Sequence, residues 1–307
     1  MDWFSPTQYS CGIVITGNVK YYCPKGGNMT DKQKSILAML ISALGFSIMG
    51  VFVKLTGEIP VAQKVLFRTY TISIVSFIFL KMYGLSLKNI KHHKLLMLRS
   101  AFGTIGLLLN FYSLDHLILS DANVIFRLST VFVIILSWIF LGEKISRKQM
   151  MTILLAFIGV IFVMKPEFSI RLVPYIIAVT GAFAAAAAYT TLRPLGKVVH
   201  PVTVVFYFAA FSSIVLTPYV FINYVSMTGI QLLFAFLAGI GAVMGQLGVT
   251  IAYKLAPARD VSIYNYSGVV FSALFSILIF DSVPDVLSIL GYIIIFGASY
   301  LMYYNNR

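Results

Sequence analysis

Residues 119–144 read LSDANVIFRLSTVFVIILSWIFLGEK. From Leu128 to Leu141 no side chain is charged and most are aliphatic or aromatic. A helix over 119–141 is long enough to cross a hydrocarbon core about 30 Å thick at about 1.5 Å rise per residue. Only helices and closed barrels satisfy their backbone polar groups in lipid. Barrel strands alternate in polarity over about ten residues, and this run is continuously apolar instead, so the segment reads as a transmembrane helix. Arg127 interrupts it about 9 Å from Asp121, counted at helical rise. Exposing an arginine to lipid near mid-span costs about 2.5–3.5 kcal/mol, so Arg127 is expected to face protein or water.

The same pattern recurs along the chain. Further helices are expected near 35–54, 62–82, 95–113, 149–165, 173–193, 202–222, 230–253, 259–280 and 286–304, making an all-α integral membrane protein of ten transmembrane helices. Composition agrees: the 307 residues are 59% hydrophobic and 11% charged, with mean hydropathy +0.91, whereas a soluble domain is roughly a quarter charged. Short loops with turn signals (Glu58-Ile-Pro60, Lys165-Pro166, Arg193-Pro194, His200-Pro201, Ala256-Pro257, Val283-Pro284) leave no room for a sizeable soluble domain.

A net charge of +13 raises nucleic acid as a partner, but most Lys and Arg sit in the short loops, and no nucleic-acid partner is expected. Loop charge reports topology instead. Only Lys54, Lys64, Lys165 and Arg171 fall on one side of the ten-helix arrangement. The tail, the basic loops around Lys81–Arg99 and Lys144–Lys148, then Arg193, Lys197, Lys254, Arg259 and Arg307 fall on the other. Both termini are therefore expected in the cytoplasm of a cell-membrane protein.

Residues 1–34 read as a cytoplasmic tail, with residues 1–28 unlike the rest in composition. Two readings stand: a non-native extension ahead of a start at Met29, or a disordered tail. Cys11 and Cys23 both lie there, which argues against a disulfide framework or a cysteine metal site.

Two halves emerge on comparison, 35–166 and 173–304. At an offset of 139 residues Asp121 falls on Asp260, Gly106 on Gly245, Ser137 on Ser276 and Phe157 on Phe296. Five spans per half is odd, so the second half would enter the membrane from the opposite side, giving two inverted five-helix repeats. Such repeats are typical of secondary transporters, whose solute sites lie near the midplane between them.

The chain resembles the EamA-domain group of the drug/metabolite transporter superfamily over about residues 35–304. The resemblance is carried by Phe67-Arg68, by Leu119-Ser-Asp-Ala-Asn123, by the Leu141-Gly-Glu-Lys144 turn and by Gly159-Val-Ile-Phe-Val-Met164. In the second half Phe280-Asp-Ser282 replaces the turn. The resemblance implies ten helices around a central cavity lined by the first, third, fourth, sixth, eighth and ninth. It also implies a substrate among amino acids and other metabolites.

Candidate solute-binding residues follow from polarity inside spans. Asn123 precedes Arg127 by four residues, on the same helical face, and Ser262 and Tyr266 stand at the repeat-related places. Arg127 either holds a carboxylate or serves as a structural bridge. Asn110 and Gln246 are amides inside spans, available to another helix or to a solute. Tyr189, Tyr264, Asn265 and Tyr266 add polar and aromatic surface. Asp121 and Asp260 each open a helix, where the dipole favours a carboxylate; they are caps, or gates that couple protons to solute movement. Arg68, close to a helix end, reads as an anchor, and Glu143 with Lys144 as a salt-bridged corner. Gly103 with Gly106, Gly181 with Ala184–Ala188, and Gly241 with Gly245 suit close helix contacts.

His92, His93, His116 and His200 all fall in expected loops, and no phosphate-binding loop, nucleophile elbow or paired-acid metal site stands out. No catalytic residue, cofactor or metal is expected. The first span lacks an acidic residue, which argues against a small cation/proton multidrug antiporter. The leading function is a secondary transporter of a small organic metabolite, an amino acid or related anionic or zwitterionic solute, working by alternating access. Protons are a candidate coupling ion, and a monomer in the lipid bilayer is expected. The alternative is a membrane enzyme acting on a lipid or isoprenoid head group.

Overall fold

The computed structural model describes residues 12–14, 20–22, 29–85, 87, 92–142, 146–164, 172–281 and 285–305. Within the tail, β1 (Gly12–Val14) pairs antiparallel with β2 (Lys20–Tyr22), an element the composition did not signal. All other described elements are helices: α1 (Asp31–Leu55), α2 (Val61–Met82), α3 (His93–His116), α4 (Leu119–Phe126), α5 (Leu128–Leu141) and α6 (Arg147–Met164) form the first half. The second comprises α7 (Val173–Thr190), α8 (Leu192–Gly196), α9 (Pro201–Ile222), α10 (Gly229–Leu255), α11 (Ala258–Val261), a 3-10 turn (Ser262–Tyr266), α12 (Ser267–Phe280) and α13 (Val286–Asn305).

Six of these segments are long and apolar enough to cross a membrane: α1, α2, α3, α7 with α8, α9 and α10. Shorter apolar helices fill the other expected spans. The Glu143–Lys144 corner, Lys165-Pro166 and both cysteines lie outside the described residues.

Three expected helices are not continuous: the run 173–193 pauses at Thr191 between α7 and α8, and the other two breaks are repeat-related. The run 119–141 breaks at Arg127, where α4 ends and α5 begins, and the run 259–280 passes through the 3-10 turn before α12. No Pro or Gly marks the break at Arg127; an interrupted helix is tolerated at membrane depth where the freed backbone is enclosed by protein or lines a cavity. Arg127 and Tyr266 precede α5 and α12 with nearly the same backbone (φ −66, ψ −14 and φ −67, ψ −17). They stand at the same offset as Asp121 and Asp260.

Other reversals repeat with them. Leu117 and Ala256 close α3 and α10 in extended conformations, each donating its N–H to the carbonyl four residues back. Gly142 and Asp281 close α5 and α12 in the left-handed region, at φ +67 and +47, donating to the carbonyls of Ser137 and Ser276. The glycine turn of the first half is thus rebuilt around an aspartate, a residue that tolerates this conformation better than most. Asp281→Gly should therefore raise stability by up to about 1 kcal/mol, read as a higher melting temperature; a decrease would show that the carboxylate is needed there.

Packing runs mainly between the halves. Helix α1 lies on α10, α3 on α7, α2 on α9 and α6 on α13, while α5 packs on α7 and α12 on α1. Exchanging the halves maps these pairings onto one another. Low-numbered residues of α2 meet residues late in α9 and just past its end: Gln63 exchanges two hydrogen bonds with Val225, and the Tyr70 and Thr217 hydroxyls lie 2.7 Å apart. The two repeat-related helices therefore run antiparallel.

Glycine sets the approach of the closest pairs. A Cβ on Gly45 would sit 2.7 Å from the Gly241 oxygen and the Gly245 nitrogen of α10, and one on Gly106 2.8 Å from the Ala185 nitrogen of α7. Ser42 donates to the Gly245 carbonyl at 2.7 Å across the first crossing. Lys54, ending α1, bonds the Leu117 carbonyl that ends α3; Arg193, after α7, bonds the Lys254 carbonyl near the end of α10. Cations at helix C-termini are favoured by the dipole, and both halves use the device.

Candidate functional site

A small cavity lies between the halves, with about 40 Å³ of room for the centres of water-sized molecules. Phe46 and Met49 of α1, Leu107 of α3, Phe126 of α4 and Ala185 and Ala188 of α7 form its apolar walls. Its polar lining is Arg68, Arg99, Arg127, Asn110, Asn123, Tyr189, Gln246 and Asn265. Among the described residues no carboxylate lines it.

Arg127 stands where α4 gives way to α5 and is 3% exposed. It donates through Nη1 to the Asn265 side-chain oxygen at 2.5 Å, while Nε has no protein partner. The guanidinium brings Nη2 against Gly268: a Cβ there would collide with Nη2. This glycine, one turn into the other broken helix, makes room for the charge. Asn123, one turn before Arg127, donates to the Leu119 carbonyl and keeps its side chain on the cavity wall.

Two further arginines enter, against expectation. Arg68 read as an anchor at a helix end, and Arg99 as part of the cytoplasmic basic cluster; both are 1% exposed and line the cavity. Arg68 directs Nε at the Met49 sulfur (3.1 Å) and leaves Nη1 without a protein partner. Arg99 stacks its guanidinium 4.0 Å from the Phe208 ring centre and donates to Gln246 Oε1 at 2.9 Å, with Nε and Nη1 unpartnered. Gly103, one turn further on, leaves space for that guanidinium: a Cβ would collide with Nη1 and lie 2.9 Å from the Phe208 ring. Helix ends located by hydropathy place a side chain's Cα, and a side chain as long as arginine carries its charge well away from it. Charged residues inside spans are the signal that was available for both.

The remaining expected residues divide. Asn110 lines the cavity, and its buried side-chain oxygen has no hydrogen-bond partner. Gln246 bridges from α10 to Arg99, and Tyr189 is a wall residue whose ring lies 6.0 Å from that of Tyr253. Tyr266 is buried but not part of the lining; its neighbour Asn265 takes the place opposite Arg127. The 3-10 turn rotates the chain there, so the continuous-helix spacing that pointed to Tyr266 does not apply. Asp260 sits in α11, away from the lining. The side chains of Asp121 and Ser262 lie outside those described.

The wall also exceeds the six expected helices, because Arg68 comes from α2 and Phe208 from α9. These two helices pack against each other and against α10 and α3, which brings their long side chains within reach of the centre.

Comparison with known proteins agrees with the fold. The sequence profile described as the EamA-like transporter family matches residues 33–165 and again 172–304. A pseudopaline exporter, CntI, of Pseudomonas aeruginosa (strain UCBPP-PA14) is 29% identical over 266 residues, 86% of this chain and 93% of that protein. An uncharacterised transporter of Helicobacter pylori (strain J99) is 26% identical over 275 residues, 86% and 92% of the two chains. Mouse solute carrier family 35 member G1 is 28% identical over 288 residues, 85% and 77%. One solved crystal structure superposes with a TM-score of 0.73 at 15% identity, over 89% of this chain and 98% of that one, a likeness of fold.

Proposed function

The chain belongs to the EamA-like transporter family, with two EamA segments in tandem, and from that membership we propose that it is a secondary transporter moving a small organic anion or zwitterion by alternating access. It is a multi-pass membrane transporter, and the family is one of carriers, not enzymes. The observation that carries the finer reading is the cavity between the halves, walled by Arg127, Asn123, Asn110, Tyr189 and Gln246. A cationic site with amide and hydroxyl neighbours suits a carboxylate-bearing metabolite such as an amino acid. The relative named for export of pseudopaline supports a metabolite as cargo.

The mechanism rests on arrangement. We read residues 35–166 and 173–304 as inverted five-helix repeats, ten spans in all, with both termini cytoplasmic. The antiparallel α2 and α9, the swap-symmetric pairings and the reversals that recur at the 139-residue offset support this. Inverted halves supply two conformations of similar energy, one open to each side, and breaks at Arg127 and before Ser267 are suited to bending in the switch.

Purified protein in proteoliposomes should show saturable counterflow of a carboxylate-bearing solute. Ohmic, unsaturated current or no flux of any anionic or zwitterionic metabolite would reject the proposal. If protons are coupled through the helix-opening acids, Asp121→Asn and Asp260→Asn should abolish uphill transport yet spare exchange at equal pH. If the acids only cap helices, both variants should keep uphill transport and lose about 1 kcal/mol of stability or less.

A further inference from the structure

The charge of the cavity exceeds what a single carboxylate would balance. Arg68, Arg99 and Arg127 come from three separate segments and converge on one space in which no described carboxylate takes part. A buried charge without a counter-charge is costly, and structural arginines ordinarily end on a carboxylate or on carbonyls. These end on a methionine sulfur, an aromatic ring and two amides, with N–H groups of all three unpartnered by protein.

The charges are also absent from the repeated frame. At the 139-residue offset, Arg68, Arg99 and Arg127 correspond to Tyr207, Ala238 and Tyr266. Helix packing that recurs in both halves therefore does not call for them. Gly103 and Gly268 leave room for two of the guanidinium groups, and the Phe208 ring sets the plane of one. Space of this kind, held beside guanidinium N–H groups without protein partners, suits recognition of anionic groups.

We infer that the cargo is a polyanionic metabolite bearing at least two carboxylate groups, one received at Arg127 and the other between Arg68 and Arg99. This rests on the reading of the cavity as the solute site. The amides then select among such solutes: Asn110 and Asn123 from the first half, and Gln246 and Asn265 from the second, offer donors and acceptors for hydroxyl or amino substituents between the carboxylates.

The test is a binding titration of the full chain in nanodiscs at constant ionic strength, with acetate, alanine, succinate, malate, tricarballylate and citrate as probes. Affinity should rise at least tenfold from the monocarboxylates to the best di- or tricarboxylate. Arg68→Lys and Arg99→Lys, which keep the charge but lose the planar guanidinium, should each remove most of that gain. Unfolded Arg→Gln variants would not decide the matter, so the lysine variants, checked for an unchanged melting temperature without solute, carry it. Equal affinity across the series, no binding by any polycarboxylate, or lysine variants that retain the full gain would overturn the inference. The two readings fail differently. Polycarboxylates that bind but show no counterflow would sink the carrier proposal alone. Saturable counterflow of a monocarboxylate, with no gain for any di- or tricarboxylate, would sink this inference alone.

Discussion

Arg127→Gln is expected to weaken solute binding ten- to a hundredfold and to lower counterflow in proportion, without loss of the folded protein. A hydrogen bond to a charged group contributes about 1.5–3 kcal/mol, and every 1.4 kcal/mol is tenfold in affinity. The stability arm separates a solute anchor from a structural bridge. Among the described residues the Arg127 guanidinium donates to Asn265, and its Nε is unpartnered at 3% exposure. Replacing a buried, poorly compensated charge by a neutral group of similar length is commonly neutral or stabilising. An unchanged or raised melting temperature with lost binding assigns Arg127 to the solute. A drop of several degrees with binding retained would make it a bridge between the broken helices.

Gly45→Val is expected to abolish accumulation of folded protein, the largest effect on stability. Already the first added carbon would sit 2.7 Å from backbone atoms of Gly241 and Gly245. Backbone cannot rotate away as a side chain can, so α1 and α10 would have to separate along their whole crossing. Overpacking of this kind costs about 1–3 kcal/mol for a methylene or two, and here the Ser42 bond to the Gly245 carbonyl would be lost with it. Gly297→Ala is the matched control, since nothing lies within 4 Å of its Cβ position. It should be neutral or stabilising by up to about 1 kcal/mol, as alanine is the better helix former. Monodisperse yield in detergent checks both; normal yield of Gly45→Val would mean the crossing can open freely.

The two arginines that the pattern of residues misassigned explain how far the linear reading reaches. Arg68 and Arg99 stand in α2 and α3, where hydropathy placed spans, yet each was counted with a helix end. Their fate depended on α10 and α9, whose Gln246 and Phe208 receive Arg99, and on α1, whose Met49 meets Arg68. Those partners lie far away in the chain, and nothing local points to them. Arg127 was legible because it lies deeper in an unbroken apolar run, where lipid exposure is too costly. Tyr266 shows the converse: its spacing assumed a continuous helix, and the 3-10 turn presents Asn265 instead.

The order of residues by itself determined the solvent, the class and the frame. Continuous apolar runs demand lipid and helix, five-span periodicity yields two matched halves, and glycines at Gly106, Gly241 and Gly245 mark close crossings. These are properties of a segment and its immediate surroundings, set by transfer energies and by the steric profile of one helix. Tertiary structure alone decided that α4 and the turn before α12 break, that three guanidinium groups share one space, and that no described carboxylate joins them. A long side chain's destination depends on which helices face it, and that is fixed only when the halves pack.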